Sequence, residues 1–218
     1  NPQSGLLGAL KVASSRTHDT AVLHNGKPVL IVFPSIQRVL LTVSAEELER
    51  MCKDDTLEIV AKAVPDNPQW KEKAKVTIMS CLWQMAIWSA RGRLVYPLTP
   101  QSVFTLKRWP NLTRLAPVPE SMRLSAFLTK TSVNLNVLYK VMPLDMSDIL
   151  NYIAATYVTG FLATDSEFTE QQHVAGSQAA EVQQQVSVNS ADETDKNMSQ
   201  AAERAAGGSK EQPRGLLS

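Results

Sequence analysis

The side chains best suited by type to chemistry are four cations beside an indole: Arg91, Arg93, Lys107 and Arg108, with Trp109 next in the chain. Guanidinium groups donate in pairs to phosphate oxygens, and an indole face stacks on a ring or a cation. On one surface these five residues would hold a phosphate-bearing small ligand such as a nucleotide. Lys71, Lys73 and Lys75 form a second basic run. The competing explanation is that the cations are solvated charges rimming a sheet, with Trp109 in the core. Alternate strand positions point to opposite faces and would divide such a set, which favours the second explanation.

Other chemistries are poorly supplied. The histidines are His18, His24 and His173. A zinc site wants three or four converging His, Cys or carboxylate ligands, and Cys52 and Cys81 have no paired spacing with any histidine. The Gly-x-Ser-x-Gly elbow is missing, and His18-Asp19 has no identifiable serine partner. Glu46-Glu47 and Asp54-Asp55 fall at expected helix ends and loops, where a carboxylate at a helix start stabilises the dipole. Neither the GxGxxG nor the GxxxxGK phosphate-loop pattern occurs. The residues therefore point to no cofactor, no metal, and a protein that is not an enzyme.

The elements that would position these residues sit in a chain of 218 residues that is 44% apolar, enough to bury a core. The net charge of +1 names no partner, but its distribution is uneven. Residues 1–119 carry 15 basic and 9 acidic side chains, residues 120–163 carry 3 of each, and residues 164–218 carry 4 basic and 9 acidic. Such a split marks an acidic tail beside a mildly basic body. Cys52 and Cys81 read as two buried thiols of a reducing compartment, although their separation leaves a single bridge open. The longest apolar stretch, Val76 to Ala90, is too short for a membrane span and contains Thr77, Ser80, Gln84 and Ser89. With no recognisable signal peptide, the expectation is a cytoplasmic protein without a membrane span.

Along the chain, residues 5–14 have helical apolar spacing. Two apolar runs, 20–24 and 27–33, flank Asn25-Gly26, the pair best suited to a tight hairpin turn. Pro28 suggests an edge or strand-end position. Residues 36–43 read as a third strand. Ser44 and Glu47 form a capping box that starts a helix over 45–53, and 56–64 reads as a strand, with a helix as the alternative. Asn67-Pro68 opens a long helix to Ala90, apolar on nearly every side except a thin stripe at Thr77, Ser80 and Gln84. Such a helix is buried, as the spine of a core or in a dimer interface. Short strands are expected at 93–96 and 103–106.

Residues 120–162 change character. Helical segments are expected over 121–130, with Met122, Leu124, Phe127 and Leu128 inward, and over 132–142, with Leu135, Leu138 and Met142 inward. Asp145 caps a third, where Ile149, Ile153 and Tyr157 repeat at helical spacing and Gly160 closes. The run LSAFLTKTSVNLNVLYKVMPLDMSDILNYIAATYVTGFL resembles the tri-helical winged-helix or helix-turn-helix module of bacterial regulators. The resemblance implies a third helix that enters a DNA groove. Here that helix has no Lys or Arg and carries Asp148, with Asp145 just before it, so it would repel phosphates instead of attracting them. Protein–protein contact is the better use, with Met146, Asn151 and Tyr152 as candidate contacts.

The expected fold is α+β: a small antiparallel or mixed sheet with a buried long helix over 1–118, a winged-helix-like helical module over 119–162, and a disordered acidic tail over 163–218. The expected function is that of a non-catalytic bacterial regulatory or scaffold protein acting on a protein partner or on a second copy of itself as a homodimer. A DNA-binding transcriptional regulator and a nucleotide-binding protein are the alternatives.

Overall fold

A computed structural model of the chain describes residues 5–165. The acidic segment from residue 166 onward, with His173, lies outside the described residues. The fold is α+β. The described residues divide into two compact units: residues 5–91 with Asn111–Pro117, and Gly92–Pro110 with residues 118–165. The boundary expected near residue 118 is therefore crossed, because Gly92–Pro110 groups with the helical unit.

The first unit contains α1 (Gly5–Ser14), β1 (Thr20–His24), β2 (Lys27–Phe33), β3 (Arg38–Leu41), α2 (Ala45–Cys52), β4 (Ile59–Ala63), α3 (Pro68–Lys73), β5 (Val76–Thr77) and α4 (Ile78–Ala90). The strands form one antiparallel sheet in the order β4-β1-β2-β3-β5. The Asn25-Gly26 turn has both residues at positive φ, as a type I′ hairpin requires. Of the two positions expected for Pro28, the strand end is the one found: it is the second residue of β2, which is the middle strand and not an edge. The pairing of β2 with β3 begins at Leu30, so the missing Pro28 N–H falls outside that ladder. Its carbonyl instead accepts from the Thr42 hydroxyl at 2.6 Å.

Strands β1 and β2 are buried on consecutive residues, so both sheet faces are covered. One face contributes Ala21, Leu23, Ile31, Phe33 and Leu40 to a cluster with Val64, Trp70 and Ala74. By alternation, Val22, Leu30, Val32, Val39 and Leu41 belong to the other face. Helix α1 packs on β1, β2 and β4 and also touches α2 and α4. Ser44 caps α2 by accepting from the Glu47 amide, as its position implies.

The single helix expected over 68–90 is broken in two. Asn67 caps α3, the chain extends at Ala74, and Val76–Thr77 pairs with β3. The Thr77 hydroxyl then accepts from the Ser80 amide and starts α4 afresh. Ser80 and Gln84, expected on a polar stripe, are buried, whereas Met79, just before Ser80, is exposed. The Trp83 indole donates to the Ala116 carbonyl at 2.9 Å, tying the Asn111–Pro117 segment to α4.

The second unit contains β6 (Phe104–Leu106), α5 (Ser121–Leu128), α6 (Leu135–Val141), α7 (Met146–Val158) and β7 (Leu162–Thr164). Strands β6 and β7 pair antiparallel, and Phe104 also bridges to Val133. Ala163 and Thr164, expected in the tail, thus belong to a strand. The strand expected at 93–96 does not form: residues 91–93 and 96–97 are turns and bends. Met122, expected inward, is exposed, while Leu124, Leu128, Leu135, Leu138 and Met142 are buried as their spacing implies. Among the described residues no helix is long and apolar enough to cross a membrane.

Candidate functional site

The basic set is not gathered within one unit. Arg91 closes α4 in a left-handed conformation and belongs to the first unit, whereas Arg93, Lys107, Arg108 and Trp109 belong to the second. Arg108 stacks over the Phe161 ring at 4.5 Å from its centroid, and the Lys107 amide donates to the Phe161 carbonyl at 2.7 Å. The guanidinium is thus engaged by the protein's own ring, a cation–π contact. Trp109 is 49% exposed, so the competing explanation was mistaken in placing it in the core.

The three candidate contacts on α7 separate sharply. Met146, at its first turn, is exposed. Asn151 is half-buried, and its side-chain oxygen accepts from the Gly92 amide at 3.0 Å. Tyr152 has no exposed surface, and its hydroxyl pairs with that of Ser125 at 2.7 Å. Burial pushes the phenol up to about 12, against the opposing effect of the Ser125 bond. Tyr152 is therefore a core residue and not a surface contact. Asn151 holds the Gly92 loop against α7. Gly92 has a positive φ, and a Cβ there would meet the Ser147 Cβ at 2.9 Å. The position therefore requires glycine for both its conformation and its close approach.

The start of α7 is well capped. One Asp145 carboxylate oxygen accepts from the Ser147 hydroxyl at 2.6 Å, the Ser147 amide at 2.9 Å and the Asp148 amide at 3.3 Å. These bonds, the hydroxyl first, hold its pKa below the ordinary value.

Sequence reasoning missed the outer side of α6. Leu135, Leu138 and Met142 face inward, leaving Val137, Tyr139 and Val141 exposed. A signal was present, since Val137 and Val141 stand one helical turn apart between the inward positions.

His24 and the two cysteines are held within the fold. His24 Nδ1 lies 3.1 Å from the Glu58 carbonyl, and Nε2 lies 3.3 Å from the side-chain nitrogen Nδ2 of the adjacent Asn25. Beside His18, Asp19 is nearly buried, and Lys71 Nζ stands 3.5 Å from it and 2.6 Å from Asp66. Burial raises the Asp19 pKa, with the Lys71 ammonium opposing. Cys52 and Cys81 are free, buried thiols and do not bridge. Burial pushes Cys52 up to about 12 and raises Cys81 further, which suppresses thiolate chemistry at both. Among the described residues no group of three or more His, Cys, Asp or Glu side chains is arranged to hold a metal ion.

No protein-family model, no curated protein and no solved structure matches the chain.

Proposed function

We propose that this is a non-catalytic regulatory or scaffold protein that works through protein–protein contact, with α6 of the second unit as part of its contact surface. The observation that carries the reading is the exposure of Val137 and Val141, one helical turn apart on one side of a helix that buries Leu135 and Leu138 on another. Val137 and Val141 are neighbours on that side, and exposed apolar side chains that adjoin mark interaction sites more often than scattered ones do. Exposed Met146, which opens the next helix, suits the same use.

The winged-helix resemblance of residues 120–162 is part of this proposal, as is a cytoplasmic setting. Three short helices with a closing strand suit such a module. Protein contact is favoured over base reading because α7 bears no cation and is buried from Tyr152 to Thr156. The nucleotide alternative is weakened by the stacking of Arg108 on Phe161.

The test is capture with the full chain as bait, comparing the wild type with Val137→Glu/Val141→Glu. A partner held by the wild type and lost by the double variant, at equal thermal stability, supports the reading. Equal capture by both proteins counts against it. Salt-dependent binding to duplex DNA, weakened by Arg93→Ala or Arg108→Ala, would replace it with the DNA-binding alternative.

A further inference from the structure

We infer that the outer edge of β4 is a pairing surface for a second copy of this chain. The inference goes beyond the α6 contact and does not depend on it. Strand β4 stands first in the sheet order, and among the described residues no strand lies beyond it. Its backbone orientation follows from the ladder. The Val64 amide donates to the Asp19 carbonyl at 3.0 Å, which makes Asp19 and Val64 a hydrogen-bonded position. The register then alternates through Lys62 opposite Ala21 and Val60 opposite Leu23. Alternation along an antiparallel ladder turns Val60 and Lys62 toward β1, and Ile59, Ala61 and Ala63 outward. The Glu58 carbonyl, which meets His24 across the β1 side, fits the same alternation. An edge of this kind offers a row of N–H and C=O groups to another strand.

The side chains argue for the occupant. Glu58, Val60 and Lys62 share one face by alternation, and Val60 is 51% exposed. An antiparallel pairing about a two-fold axis at Val60 sets Val60 against Val60 of the second copy. The same register puts Glu58 opposite Lys62 of the second copy, and the symmetry repeats the pair. Ile59 and Ala61 of each chain then exchange backbone hydrogen bonds. An edge lysine ordinarily discourages pairing, but here the carboxylate four residues earlier meets it, and opposite charges across a strand pair stabilise it. Shifting the axis to Lys62 would place two ammonium groups face to face and set Pro65, which has no N–H, against Ile59. The Val60 register buries the exposed side chain and sets opposite charges across the strand pair, which the Lys62 register does not. A two-fold contact of this isologous kind is the commonest way identical chains associate.

The experiment is sedimentation of the full chain over a concentration series, with amide exchange followed at Ile59 and Ala61. A dimer whose population rises with concentration is expected, with those two amides gaining protection in step. Val60→Lys puts like charges on the axis, and Ala61→Pro removes an outward N–H while leaving the β1 ladder intact. Each should weaken dimerisation by about tenfold or more. Lys62→Glu should also weaken it, and Glu58→Lys with Lys62→Glu should restore it. Should Ala61→Pro lower the melting temperature, Val60→Lys decides, because Val60 is a surface side chain. A chain that stays monomeric throughout would overturn the inference. So would a dimer unmoved by Val60→Lys, or exchange at Ile59 and Ala61 that ignores concentration. The α6 double variant should keep the dimer, so failure here and failure of the α6 reading are separate results.

Discussion

Helices α4 and α7 are both thirteen residues long, and each is buried along most of its length, yet they are filled differently. Helix α4 packs with bulk: Trp83 and Met85 have no exposed surface, and the Trp83 indole reaches across to Ala116. Helix α7 packs with small side chains at its centre, Ala154, Ala155 and Thr156, all fully buried. Small residues let neighbouring backbone come close, so the helix has no room to grow. The first unit thus depends on the volume its side chains fill, and the second on the volume they leave out. The second unit also leaves apolar side chains exposed on α6.

The largest expected effect tests the bulk side of that comparison. Trp83→Ala should destabilise the first unit by about 3–5 kcal/mol, through a cavity and an orphaned Ala116 carbonyl, read as a fall in the denaturant midpoint. Ala155→Leu tests the other side and should cost about 1–3 kcal/mol by overpacking. If Ala155→Leu leaves the midpoint unchanged, α7 is not closely packed and the contrast fails. Tyr152→Phe should cost about 1 kcal/mol by stranding the Ser125 hydroxyl, and adding Ser125→Ala should recover part of it. The double substitution at Val137 and Val141 should change stability by less than about 0.5 kcal/mol, since both side chains are exposed.

The smallest effect sharpens the comparison at the helix starts. The folded Asp145 carboxyl titrates below its usual 3.8, so the ionised cap stabilises the folded state above that pH. The contribution is lost as acid lowers the pH through the depressed folded value. The α4 cap, Thr77, has no charge to lose. On acidification the protection of the Ser147 and Asp148 amides, taken relative to each amide's intrinsic exchange rate at that pH, should fall while that of the Ser80 amide does not, and Asp145→Asn should flatten the response.

Much of the fold was legible because its signals are local. The Asn25-Gly26 turn, the Ser44 cap, the Asp145 cap and the inward spacing of Leu135 and Leu138 each depend on a few adjacent residues. The misread features depend on distant partners. Nothing near Val76 announces that β3 will pair with it and cut a helix in two. Tyr152 looks like a contact residue by type, and only the Ser125 hydroxyl, far away in sequence, explains its burial. Of the candidate site, the basic set was legible as residues but not as a place, because the unit boundary falls between Arg91 and Arg93. The outer side of α6 was overlooked because its apolar residues alternate with the buried ones.

Strand β7 has a consequence for the order in which the protein is made. The first unit's sheet draws all its strands from residues 20–77, so its ladder can close early in synthesis. Strand β6 waits for residues 162–164. Until that stretch has cleared the ribosome, Phe104 and Leu106 lack the strand that pairs with them, and long-range closures of this kind come late. A nascent chain halted just after α7 would carry a finished sheet in front and an open one behind.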